Sequence, residues 1–331
     1  MGSKRNRTVI LICILALILS AILALGLGPV NFRIRDIIAG LFDGDASTEG
    51  RILLHVRLPR LFAAALAGAG LAVAGLIIQT VLANPLASPG IIGVNAGAGL
   101  AAAICMALFP GIVRALPFAA FLGALCAVLL VYGIARRAGA SRITLILSGV
   151  AISSLMTAGI NTLITLFPDS LGGIHDFQTG GFSGVSLKLL QPAGTVILTG
   201  ILASLIFAGE LDVLGLGEST ALSLGLNVRF YRFLFLTLAA ALSGAAVSFA
   251  GLLGFVGLIV PHIARLLLKG SGKTELIAVS ALAGAALLIF CDTAARTIFA
   301  PFELSVGILL AYLGVPFFLW LLLGERRRPH D

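Results

Sequence analysis

Polar and apolar positions fall into long blocks along this chain. Apolar runs cover residues 9–27, 61–82, 91–109, 116–135, 143–166, 189–208, 230–250, 255–268, 276–295 and 304–323. Most approach the roughly 20 residues a helix needs to cross a hydrocarbon core; the run at 255–268 is shorter. The pattern predicts an all-α membrane protein with about ten transmembrane helices, built as one domain over residues 1–331. Both termini then lie on one side. The first run follows Lys4, Arg5 and Arg7 and ends at Ala24-Leu25-Gly26, which resembles a cleavage site. It is longer than the roughly 7–15 apolar residues of a signal peptide, so a retained helix is expected.

Composition strengthens this reading. Hydrophobic residues make up 59% of the chain and charged ones 11%, against roughly 25% charged in soluble domains. No single soluble core hides that much apolar surface. The 40 glycines suit close-packed membrane helices, whose contacts favour small residues. Four cysteines (Cys13, Cys105, Cys126, Cys291) fall inside apolar runs without a CxxC pair, so neither a zinc site nor a disulfide framework is expected.

The net charge of +8 does not form the basic stripe of a nucleic-acid binder. Basic residues instead cluster between apolar runs. With the N-terminus in the cytoplasm, fourteen face inside: Lys4, Arg5, Arg7, Arg136, Arg137, Arg142, Arg229, Arg232, Arg265, Lys269, Lys273, Arg326, Arg327 and Arg328. Eight remain outside: Arg33, Arg35, Arg51, Arg57, Arg60, Arg114, Lys188 and Arg296. The bias follows the positive-inside rule and predicts a multi-pass cytoplasmic-membrane protein with both termini inside. Arg57, Arg60 and Arg296 run against it at outer helix ends. Snorkelling to water is one expectation; a docking site for an acidic external partner is the other. Asp292 and Arg296, spaced i, i+4, are expected to pair on one helix face.

Polar or helix-breaking sequences between the runs carry the remaining information. Gln79 precedes Asn84-Pro85-Leu86-Ala87-Ser88-Pro89-Gly90, where two prolines break helix. Irregular backbone at membrane depth needs protein or a water-filled path to satisfy it, so this is either a gate element or a plain turn. Residues 212–229 are too polar to span. Leu216, Ala221, Leu222 and Leu224 recur at roughly helical spacing there and predict a short helix with an apolar face for a partner or the membrane surface. Residues 251–265 carry glycine every third position, then Pro261 and His262, which predicts an unwound or closely packed segment with a structural histidine.

Two resemblances to nucleotide motifs fail. Gly270-Ser271-Gly272-Lys273-Thr274 imitates the end of a P-loop, but Leu267 stands where its first glycine belongs. Gly68-Ala69-Gly70 and Gly97-Ala98-Gly99 lie inside apolar runs. No nucleotide site is visible, and the chain is not expected to be an enzyme in its own right.

Taken together, the motifs resemble the permease subunits of bacterial type II ABC importers, the iron-siderophore, haem and cobalamin uptake group. The resemblance runs from about Arg57 to Leu322. It rests on Arg57-Leu58-Pro59-Arg60, Asn84-Pro85-Leu86-Ala87, Leu147-Ser148-Gly149-Val150-Ala151, Leu216-Gly217-Glu218, the stretch from Phe255 to His262, and Gly314-Val315-Pro316-Phe317-Phe318 in that order. It implies the type II ABC importer permease fold and a second permease copy, with a path along the dimer axis. It also implies two ATPase subunits that hold ATP and Mg, and an extracytoplasmic binding protein that delivers cargo. No cofactor is expected on this chain itself.

By the same resemblance, Arg57, Arg60 and Arg296 receive acidic side chains of the binding protein. Leu216, Gly217, Glu218, Ala221, Leu224 and Gly225 belong to cytoplasmic coupling helices within 212–229. The inner gate maps onto Asn84 and Leu86 and onto Ala140 and Ser141, with Ala140 standing where the cobalamin relative has a hydroxyl residue. Gln79, Asn95 and Asn161 are rare amides along an otherwise Ala-, Gly-, Leu- and Ser-rich path. Residues 176–181 lack the tryptophan and Met-Gly pair of many relatives, and Leu252-Leu253 replaces a common Pro-Ile pair. A ferric siderophore is the expected cargo as the commonest in the group, with haem or cobalamin as alternatives. His55 and His175 on the outer side are only weak evidence for haem. An ion-coupled secondary transporter is the competing class, and Asp292 is its best candidate ionisable residue.

Overall fold

The structure is a computed structural model and describes residues 2–28, 30, 32–109, 113–139 and 141–325. Ala140 and Arg326, Arg327 and Arg328 lie outside the described residues. In chain order the helices are α1 (Gly2–Gly26), α2 (Ile34–Asp43), α3 (Thr48–Ile52), α4 (Leu58–Val81), α5 (Val94–Leu108), α6 (Leu116–Arg137), α7 (Arg142–Leu166), α8 (Ile174–Thr179), α9 (Leu187–Ile206), α10 (Ala208–Gly215), α11 (Glu218–Ser223), α12 (Val228–Ala250), α13 (Val256–Leu267), α14 (Lys273–Thr297) and α15 (Val306–Glu325). Among the described residues seven helices are long and apolar enough to cross a membrane, and the shorter apolar α5, α13 and α15 complete the ten expected runs.

Local chemistry sets the helix ends. Pro59 and Pro117 sit in the first turns of α4 and α6, where a missing N–H costs nothing. Ser141, Ser186 and Asn227 cap α7, α9 and α12 by accepting from Thr144, Leu189 and Phe230 N–H groups. Gly251 ends α12 with a φ of 68°.

The region between the first two runs is more ordered than its composition suggests. α2 and α3 fill it, and a π-helical turn (Leu53–Arg57) feeds directly into α4. Ile34, Ile38 and Phe42 are exposed along one side of α2, as in a helix lying in the membrane interface.

α4 and α12 form the centre. α4 packs on α14, α12 and α13, and α12 also carries α6 and α9. Of the apolar windows of α4 and α12, 72% is buried, against 17% for α7. Helices this close need glycine where backbones meet. A Cβ at Gly75 would collide with the Gly257 carbonyl of α13. Gly75→Ala is therefore expected to cost at least about 1–3 kcal/mol, read as a lower thermal midpoint in detergent. Gly133→Ala, where a Cβ meets nothing within 4 Å, is the control; equal behaviour of the two variants would refute the contact.

The glycine-rich segment after α12 is indeed unwound. Residues 251–254 are irregular and Phe255 has a φ of 64°. Its backbone is satisfied by protein: Leu252 N–H donates to the Phe177 carbonyl at 2.8 Å, and Gly181 N–H to Ala250 at 2.8 Å. His262 packs edge-on against Phe317, ring centres 5.9 Å apart, which fits a structural histidine.

Contacts fix which elements share an end. Arg5 on α1 donates to the Lys269 carbonyl after α13. Asp212 on α10 accepts from the Lys273 N–H that opens α14, at 3.0 Å. Tyr132 near the end of α6 reaches the Arg229 carbonyl at the start of α12. These elements, with α11 and the start of α7, make one end of the bundle. The end of α1, the start of α4 and the end of α14 make the other.

Candidate functional site

The last turn of α1 leaves four carbonyls without helical partners, and all four are taken. Leu27 N–H bonds to Leu23 and Phe32 N–H to Gly26, both at 2.8 Å. The Arg296 guanidinium donates to Ala24, and the Arg57 guanidinium to Leu25 and Val30. Cations suit the negative end of a helix dipole. The Arg57 guanidinium also lies over the Phe32 ring, 4.0 Å from its centre.

Arg60 turns the other way. Its Nε donates to both Asp292 carboxylate oxygens at 2.8 and 3.0 Å, and its Nη1 reaches Glu303 Oε2 at 3.0 Å. Arg296 Nε lies 3.7 Å from Asp292 Oδ2. Arg57, Arg60, Asp292 and Arg296 are 3–8% exposed. Snorkelling to water is thus not what these arginines do: internal carbonyls and carboxylates solvate them. The expected Asp292–Arg296 pair exists, but Arg60, 232 residues away in sequence, is the nearer partner. Three guanidiniums facing two carboxylates leave the cluster with a surplus positive charge.

At the opposite end, Leu216 and Gly217 join α10 to α11. Gly217 has a φ of 109° and Gly225 a φ of 81°, conformations that favour glycine. Glu218 opens α11 and accepts from Arg232 Nη2 of α12 at 2.9 Å; its side chain is half-exposed while Arg232 is buried. The predicted apolar face is divided. Ala221 is fully buried, whereas Leu216, Leu222 and Leu224 are exposed. Successive residues of α11 point about 100° apart, so Ala221 packs inward against the bundle while Leu222 faces out.

The gate and pathway candidates occupy separate places. Gln79 is buried between α4 and α13, donating to the Gly257 carbonyl at 3.0 Å and accepting from Arg265. Asn84 folds its loop by accepting from Leu86 N–H at 2.9 Å, beside half-buried Leu86. Ser141 is the cap of α7. Asn161 lies 20 residues along that helix, about 30 Å away at 1.5 Å per residue. It lines an open cavity of about 500 Å³ with Gly90, Ile91, Ser153, Ser154 and Thr157. The structure brings Asn161 near the serines and Thr157 but not near Gln79.

Sequence reasoning missed the α1 carbonyls, the Gln79–Arg265 contact, the Asp212 cap and the Arg232–Glu218 pair. The first three join segments far apart along the chain and the last joins consecutive helices, and no local pattern marks any of them.

Known proteins supply the comparison. The family model described as the FecCD transport family matches residues 15–324. The iron(3+)-citrate import permease YfmE of Bacillus subtilis is 40% identical over 98% of this chain and 97% of its own length. The hemin transport permease HmuU of Yersinia pestis is 35% identical over 94% of this chain and 95% of its own. A solved inward-facing metal-chelate type ABC transporter superimposes with a TM-score of 0.86 at 27% identity, covering 96% of this chain and 99% of that one. A match that spans nearly every described helix, and both ends of the bundle, leaves one assignment: this chain belongs to the FecCD transport family.

Proposed function

We propose that this chain is the permease subunit through which an ATP-driven importer moves a ferric chelate, a siderophore or citrate complex, into the cytoplasm. The observation that carries the cargo class is the open face of α7. Ser154, Thr157 and Asn161 line a cavity on a span that the bundle leaves largely uncovered. Hydroxyls and amides can hold an already wrapped metal loosely. Among the described residues no group of three His, Cys, Asp or Glu side chains has metal-holding spacing. A second permease copy facing α7 would close the path on its axis. Permeases for ferric citrate and hemin among the relatives support this class.

The energy comes from elsewhere in this reading. Glu218 and the exposed leucines form the contact for one of two ATPase subunits, the second permease copy contacting the other, with that end cytoplasmic. Asn84, Leu86, Ala140 and Ser141 form the inner gate, and Gln79 steadies it by tying α4 to α13. An ion-coupled transporter would need a carboxylate free to load and release; Asp292 is held by Arg60 and Arg296. Vesicles holding permease and ATPase, with the binding protein outside, should take up ferric citrate or a ferric hydroxamate only with ATP inside, in preference to haem and cobalamin. Accumulation driven by an ion gradient with this chain alone would overturn the proposal.

The arginine end is the docking site for the binding protein. Its surplus positive charge attracts acidic lobes, and the inward pairing means an incoming carboxylate must compete with Asp292, Glu303 and the α1 carbonyls. Arg57→Gln keeps an amide donor for the carbonyls but removes the charge. It should weaken binding-protein association about tenfold at low salt, and less at high salt. An unchanged calorimetric affinity would remove Arg57 from the interface.

A further inference from the structure

We propose that the wedge between the starts of α6 and α9 binds one anionic phospholipid. α6 and α9 both lean on α12 rather than on each other. At the arginine end of the bundle this leaves a cavity of about 690 Å³, within the roughly 300–1,000 Å³ range of ligand sites. Phe118 and Phe121 of α6 form one wall, and Pro192 and Val196 of α9 the other. Ala245 and Ser248 of α12 form its floor, and both are buried. Ser248 spends its hydroxyl on the Ala245 carbonyl at 2.7 Å, so the floor offers mostly apolar surface.

The surroundings identify the occupant as a lipid. Phe118, Leu122, Leu198 and Leu202 on the same two helices are exposed, and on membrane spans such side chains face acyl chains. A void open to acyl chains is filled by them, because unfilled apolar walls forfeit dispersion contacts.

Charge identifies the headgroup. Arg114, just before α6, and Lys188, in the first turn of α9, line the same cavity. Neither pairs with a carboxylate among the described residues. They belong to the basic minority at the arginine end, where the positive-inside pattern supplies few cations. A lipid phosphate answers both side chains. A zwitterionic headgroup brings its own ammonium against them, whereas phosphatidylglycerol leaves their charge to be neutralised.

Native mass spectrometry of the full-length chain in detergent tests the site. With phosphatidylglycerol and phosphatidylcholine at equal concentration, about one phosphatidylglycerol per chain should survive, preferred at least fivefold. Arg114→Gln with Lys188→Gln should abolish the preference; both residues are exposed, so the fold is not at stake. Val196→Trp, narrowing the wedge, should lower retention of both lipids. Millimolar inorganic phosphate should fail to displace the lipid. Equal retention of the two lipids by the unaltered chain, a preference that survives the double substitution, or full displacement by phosphate would each overturn the proposal.

Discussion

Replacing Asp292 with alanine is expected to be the most damaging single change to the folded chain, costing about 3–5 kcal/mol. Asp292 is the only carboxylate that touches both Arg60 and Arg296 among the described residues. Removing it leaves two buried guanidiniums facing each other, with only half-exposed Glu303 for compensation. The loss arises from uncompensated charge rather than from a missing attraction. Exchanging both partners, Arg60→Met with Asp292→Leu, should therefore recover part of the stability, since apolar replacement of a buried pair is often neutral. Thermal unfolding of the purified protein in detergent reads both effects. An Asp292→Ala midpoint within about 2 °C of the unaltered chain would show that α4 and α14 are held by other means.

Glu218→Arg should have the largest effect on transport while sparing the fold. The substitution sets a second cation beside buried Arg232, where Glu218 now accepts at 2.9 Å. α11 is a six-residue helix at the rim, so it can swing away from α12 without opening the core. That displacement moves Leu222 and Leu224 with it. ATP-driven uptake should fall by roughly an order of magnitude or more, each decade being about 1.4 kcal/mol of lost coupling. The thermal midpoint should stay near that of the unaltered chain. Glu218→Gln, which retains an acceptor, should keep much of the activity. Full uptake by the Glu218→Arg permease would exclude Glu218 from the coupling contact.

The two substitutions differ in how visible their basis is in the sequence. Glu218 follows a Leu-Gly pair in a polar stretch between apolar runs, and that setting alone marks a short helix outside the membrane. Its partner Arg232 is visible only as one more basic residue at the start of a span. Asp292 presents an evident i, i+4 neighbour in Arg296, yet the closer contact comes from Arg60 at the start of α4. The amphipathic reading of 216–224 failed at Ala221 for a related reason. Ala221 and Leu222 are neighbours on one short helix and point about 100° apart, and only packing against the bundle decides which of them is covered.

What the linear order settles is whatever depends on neighbours along the chain. A bilayer imposes a length and an apolar character on each span, so ten helices, their approximate ends and the polar breaks between them could be read directly. The unwound stretch at 251–254 was legible too, because glycine repeats and Pro261 act locally. Which arginines end buried, which carbonyls they satisfy, and why α6 and α9 splay over α12 were decided only when the helices packed. Burial and charge pairing depend on distances between segments on different helices, and no local pattern of residue types encodes those distances.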